Sequence, residues 1–184
     1  GAQVIAVAKN PAIKNYILFN SGMGNMSMGG ASPADLQNLH APIIYIVGGT
    51  TDVAYSNALI DYSRITNVEA TLANLINGGH SGTFWETYGG SDSRMMVKWL
   101  DWHFKNATQN CKVFLEYDLS EFPGWEVFSK NYNYDCNFQI SLTAPVNNAV
   151  FTAPASITIS ANTTISNGTI SKVEFFNGST KIGE

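Results

Sequence analysis

Continuously apolar runs alternate with amphipathic stretches over the first hundred residues. Tyr16-Ile-Leu-Phe19 is unbroken by a polar side chain, so residues 13–19 read as a strand buried on both faces. Residues 42–47 form a second such run, ended by Gly48-Gly49, and residues 68–76 a third, ended by Asn77-Gly78-Gly79. Residues 3–9 read as the body of a helix stopped by Asn10-Pro11. Ser32-Pro-Ala-Asp35 opens a short helix, with Ser32 as cap, Pro33 in the first turn and Asp35 at the positive end of the dipole. Residues 55–65 form another helix. The clearest helix covers 93–105, where Met95, Met96, Trp99, Leu100, His103 and Phe104 recur at helical spacing. Residues 20–30, rich in Gly, Ser and Met without periodicity, form a loop. The order α-β-α-β-α-β-α predicts an α/β fold with a parallel sheet and right-handed crossovers.

The pattern changes after Cys136. Ile140-Ser-Leu-Thr-Ala-Pro, Ile157-Thr-Ile-Ser-Ala and Lys172-Val-Glu-Phe-Phe alternate apolar with polar residues. Turn signals at Asn147-Asn148, Asn167-Gly168 and Asn177-Gly178 separate them. Short alternating strands at this spacing predict an antiparallel sandwich. About four strands fit before Glu184, where a complete sandwich of this kind takes about seven, so the β segment is partial. The expected organisation is an α/β part over residues 1–110, an irregular linker over 111–137 and a β part over 138–184.

Composition narrows the partners. Charged residues make up 13% of the chain and the net charge is −4, which gives no basic patch and argues against nucleic acid. No apolar run is long enough to span a bilayer. Low charge with abundant Asn, Thr, Ser and Gly is common in secreted bacterial proteins. Cys111 and Cys136 lie in the irregular stretch around Phe-Pro-Gly-Trp, and in a secreted protein they would close a disulfide; two free thiols is the other reading.

Candidate chemistry concentrates at two strand ends. The stretch Ala41-Pro-Ile-Ile-Tyr-Ile-Val-Gly-Gly-Thr-Thr-Asp52 places an Asp just past the second strand. Asn77-Gly-Gly-His80-Ser-Gly82 places a His just past the third. Ligands of open α/β sheets bind beyond the carboxyl ends of the strands. A carboxylate beside an imidazole fixes its tautomer and stabilises the imidazolium formed in acyl transfer, so Asp52 and His80 are the candidate catalytic residues. Asp52 also fits as a cap for the helix near Tyr55, and His80 as a loop histidine. Ser21 and Ser27 sit in superficially elbow-like contexts, but neither has Gly-x-Ser-x-Gly spacing and neither is expected to act as a nucleophile. Trp85 and Tyr88 fit either an aromatic lip over a substrate or packing under the closing helix. Met23, Met26 and Met28 read as residues of a flexible loop, with an apolar substrate wall as the other reading, His40 as structural or exposed, and His103 as the edge of a packed face. Asp61, Glu69 and Asp92 read as solvated charges. No metal-ligand spacing and no phosphate-loop order is present, so no cofactor is expected.

With these motifs in view, residues 1 to about 106 resemble the C-terminal half of an α/β-hydrolase of the secreted esterase or dienelactone-hydrolase-like kind. The resemblance rests on Pro42-Ile-Ile-Tyr-Ile-Val with Gly-Gly-Thr-Thr-Asp52, on Gly78-Gly-His80-Ser-Gly82, and on Trp99-Leu-Asp-Trp102 of the closing helix. It implies a triad acid at Asp52 and a base at His80. The elbow serine of the family would lie just before Gly1, outside the chain. The half-sheet that results is expected to need another chain, a swapped element or a missing segment along the strand of residues 13–19. The stretch from Leu142-Thr-Ala-Pro-Val-Asn to Lys181-Ile-Gly resembles the start of a bacterial Ig-like module, of a kind that accompanies secreted polysaccharide-degrading enzymes. Together these resemblances imply part of an extracellular serine hydrolase acting on carboxylic esters, with polysaccharide-linked esters as the candidate substrate. The alternative is a non-catalytic polysaccharide-binding or structural protein on a degenerate hydrolase scaffold.

Overall fold

The computed structural model describes residues 1–165 and 169–184, and these divide into two compact units, Gly1–Asn133 and Tyr134–Glu184. In the first unit, strands β1 (Tyr16–Phe19), β2 (Ile43–Val47), β3 (Ala70–Leu75) and β4 (Trp125–Lys130) form one sheet in the order β1-β2-β3-β4. The first three are parallel, with Ile43 beside both Tyr16 and Ala70. β2 lies between two neighbours and is buried at all its positions, which is why it needs an unbroken apolar run.

The sheet is mixed rather than purely parallel. β4 runs antiparallel to β3, with Leu75 opposite Trp125 and Ala70 opposite Lys130. The stretch expected to be irregular after Lys105 therefore holds a strand and also a short helix, α4 (Cys111–Leu115). β4 alternates as an edge strand should, with Trp125 and Val127 buried and Glu126 and Phe128 exposed.

Helices cover both faces. One face of the sheet, carrying Tyr16, Leu18, Ile43, Tyr45, Val47 and Leu72, packs with Ile5 of α1 (Ala2–Ala6) and Ala58 of α2 (Tyr55–Arg64). α1 is shorter than its sequence suggests because Val7 to Lys9 turn instead of continuing the helix. The turn after Ser32 is a 3-10 helix, Pro33–Asn38, whose Asp35 carboxylate accepts the Ser32 N–H at 2.8 Å. Thr71 belongs to the opposite face; its hydroxyl meets the Tyr132 hydroxyl at 2.9 Å, and Tyr132 stacks on Trp102 of α3 (Gly90–Lys105). Trp102 in turn stacks on Phe114 of α4. α3 begins one turn earlier than its apolar periodicity, at Gly90, and ends on Asn106 in the left-handed conformation.

In the second unit, β5 (Gln139–Ala144) pairs antiparallel with β6 (Ser160–Thr164), and β7 (Phe175–Asn177) with β8 (Thr180–Gly183). The Asn177-Gly178 signal closes the second hairpin, with Gly178 at φ +59°. The alternating run at Ile157 becomes a strand only from Ser160, and the Asn167-Gly168 signal lies outside the described residues. Neither cysteine is free; Cys111 and Cys136 are both disulfide-bonded.

Candidate active site

The turns after β2 and β3 meet main chain to main chain. The Gly79 N–H donates to the Gly48 carbonyl at 2.7 Å. A Cβ on Gly48 would lie 1.9 Å from the Gly79 oxygen, and one on Gly49, where φ is +75°, would lie 2.0 Å from the Ile76 oxygen. Only glycine permits this approach, and it brings the segments that follow each strand side by side.

Asp52 and His80 are the side chains brought together. Asp52 Oδ1 lies 2.7 Å from His80 Nδ1, with the Asp52 side chain fully buried and that of His80 about half exposed, at 55%. The carboxylate also accepts the Gly48 N–H through Oδ2 at 3.1 Å and the Ala54 N–H through Oδ1 at 2.8 Å. Asp52 thus organises the turn before α2 and faces the imidazole at once, but it does not cap that helix: the cap position is Ala54, and no side chain bonds the first-turn amides there. An ionised carboxylate only accepts, so Nδ1–H is the donor to Asp52, and in the neutral ring the lone pair then sits on Nε2. Among the described residues Nε2 has no hydrogen-bond partner.

The end of β1 supplies a third element that the sequence did not announce. Asn20, at φ +40°, donates its side-chain amide to the His80 carbonyl, and the Phe19 ring meets the Phe84 ring edge-on with centroids 4.3 Å apart. The only sequence signal was an Asn directly after an apolar run, in a loop without periodicity. Past it, the Met23 and Gly24 N–H groups donate to Asp61 at 2.6 and 2.8 Å.

Asp61 is therefore no solvated charge. It is completely buried; burial raises its carboxyl above the usual carboxylate range, and the two amides offset only part of that rise. Asp92 is corrected in the same way: it is 2% exposed and accepts from Thr83. Asp61 escapes recognition because its partners are backbone amides distant in sequence, and Asp92 because its partner, Thr83, lies across an aperiodic loop.

The remaining candidates separate clearly. Trp85 and Tyr88 are 74% and 97% exposed, so neither packs under α3. Met23 is buried, whereas Met26 and Met28 are exposed. No hydrogen bond joins Ser21 or Ser27 to His80 among the described residues. His40 bonds the Tyr16 hydroxyl at 3.2 Å and lies at the amino ends of the strands. A cavity of about 430 Å³ lined by His40, Pro42, Glu69 and Asn131 lies at that same end, away from the Asp52–His80 pair. Among the described residues, no group of three or more His, Cys, Asp or Glu is placed to hold a metal, and no helix is long and apolar enough to cross a membrane.

Comparison with known families bears on the second unit. Residues 139–184 match the bacterial Ig domain family. The Ig-like segment extends across β5 to β8, in keeping with its antiparallel pairing. No curated protein matches the chain. The α/β unit is characterised by its own geometry: a mixed four-stranded sheet with an Asp–His pair at the carboxyl ends of adjacent parallel strands.

Proposed function

We propose that the α/β unit carries the acid–base half of a serine ester hydrolase. The observation that carries this reading is the 2.7 Å contact between a fully buried carboxylate and a half-exposed imidazole, on neighbouring strand ends. In the proposed reaction a serine hydroxyl attacks the ester carbonyl and passes its proton to His80 Nε2. Asp52 holds Nδ1–H and stabilises the imidazolium. His80 then returns the proton to the departing alcohol, and a water repeats the sequence to release the acid. These 184 residues contain no Gly-x-Ser-x-Gly, so the serine would come from elsewhere. A carboxylic ester attached to a polysaccharide, met outside the cell, is the substrate class this reading favours; disulfide-bonded cysteines and an attached Ig-like domain support that setting.

The test is ester hydrolysis, measured on p-nitrophenyl acetate. The 184-residue chain is expected to stay at background. In the product of the complete reading frame, His80→Ala and Asp52→Asn should each cost on the order of 10⁴-fold in kcat. Turnover untouched by both substitutions overturns the proposal.

The Ig domain match also favours a second reading, in which the chain attaches to a polymer without catalysis. Retention on insoluble cellulose or xylan, together with an inactive full-length product, would favour it.

A further inference from the structure

We infer that Thr83 and Asp92 form a clamp that positions His80 against Asp52; this rests on the acid–base reading above. The segment from His80 to Gly90 is poorly held by apolar contact. Phe84 is 50% exposed, Trp85 74% and Tyr88 97%, and Phe84 meets the Phe19 ring edge-on. A half-exposed imidazole on such a loop would swing unless polar contacts fixed it.

Those contacts are dense at one place. Asp92 Oδ2 accepts the Thr83 N–H and, at 3.0 Å, the Thr83 hydroxyl. The same Thr83 oxygen accepts the Asp92 N–H at 3.0 Å and lies 3.0 Å from the Gly89 carbonyl. The clamp joins the third residue after His80 to the first turn of α3, which buries Met95, Trp99 and Trp102. The surroundings are shaped to it: a Cβ on Gly82, at φ +52°, would meet Asp92 Oδ2 at 2.0 Å, and one on Gly90 would meet Thr83 at 2.5 Å. On its other side His80 is held through its carbonyl by Asn20.

A carboxylate of 2% exposure spent on one loop residue is costly unless the loop must be fixed. The loop closes no hydrophobic core. What it carries is His80, and the direction of the imidazole decides whether Nδ1 or Nε2 meets Asp52. Thr83 and Asp92 are thus positioning residues rather than catalytic ones.

The test is the tautomer of His80, read from imidazole ¹⁵N shifts at a pH where the ring is neutral. Wild type is expected to hold the Nδ1–H form, whereas free histidine favours Nε2–H. Asp52→Asn should abolish that preference; if it does not, the acid–base reading fails and the clamp's role falls with it. With that arm positive, Thr83→Val should lower the Nδ1–H fraction by about twofold or more while Thr83→Ser retains it. A Thr83→Val protein of reduced stability that keeps the wild-type tautomer overturns the clamp alone. Wild-type hydrogen exchange supplies an arm free of mutation. The Thr83 amide should exchange as slowly as amides inside α3, and exchange as fast as that of exposed Trp85 overturns the proposal.

Discussion

His103 occupies a niche where a proton is poorly tolerated. Its ring centroid lies 4.2 Å from that of Trp99 and 4.5 Å from that of Trp102, and its buried Nε2 has no hydrogen-bond partner among the described residues. Burial pushes its pKa down to about 4. The unfolded histidine titrates near 6.5, so between those values the unfolded state binds more protons and stability falls as pH is lowered. Allowing for partial exposure, the loss should reach about 1 kcal/mol, nearly complete near pH 4. Buried Asp61 and Asp92, both raised, act in the opposite sense at acid pH, so the difference between two proteins is what isolates His103. His103→Phe should gain about 1 kcal/mol by urea denaturation at pH 7, from removal of the orphaned nitrogen, and more at pH 5. Parallel pH curves for the two proteins would contradict this. At this scale the sequence was least legible. The pairing of Asp52 with His80 was readable because both follow strand-ending glycines. The burial of Asp61 was not, because its partners, the Met23 and Gly24 amides, lie in a loop without periodicity.

Elements were legible in proportion to their local signal. Ile43-Ile-Tyr-Ile-Val47 reads as a fully buried strand and is one, and α3 buries Met95 and Trp99 of its apolar periodicity. β4 was missed because Trp-Glu-Val-Phe-Ser-Lys is short, flanked by turns, and defined by pairing with a strand, β3, far away in sequence. The antiparallel edge it forms could not be inferred from an alternation of helices and parallel strands. The joint between the β2 and β3 turns yields a prediction at the same level. Gly48→Ala puts a methyl 1.9 Å from the Gly79 oxygen, so the turns must separate. A loss of about 2–4 kcal/mol is expected by urea denaturation, with the Asp52–His80 contact broken. Gly30→Ala is the control: nothing lies within 4 Å of that position, so only the strain of its φ of +81° acts, and the cost should be about 1 kcal/mol.

The whole chain combines an α/β unit and an Ig-like unit, each compact by itself. β1 lies at one edge of its sheet and carries Ile17 and Phe19, each partly exposed, along that edge. Unpaired strand edges recruit other strands. Light scattering on the 184-residue chain should therefore give an average mass above 20.0 kDa that rises with concentration, and a constant 20.0 kDa would refute this. The glycine joint bears on how such a protein can change over generations or in the laboratory. Because Gly48 and Gly79 meet through peptide groups, the spacing of the carboxylate and imidazole depends on few side chains nearby beyond Asn20, Thr83 and Asp92. Exposed positions such as Thr50, Val53, Trp85 and Tyr88 are free to diversify, and a randomised library should sample them. Insertions between Val47 and Asp52, or between Leu75 and His80, are the changes such a library should avoid.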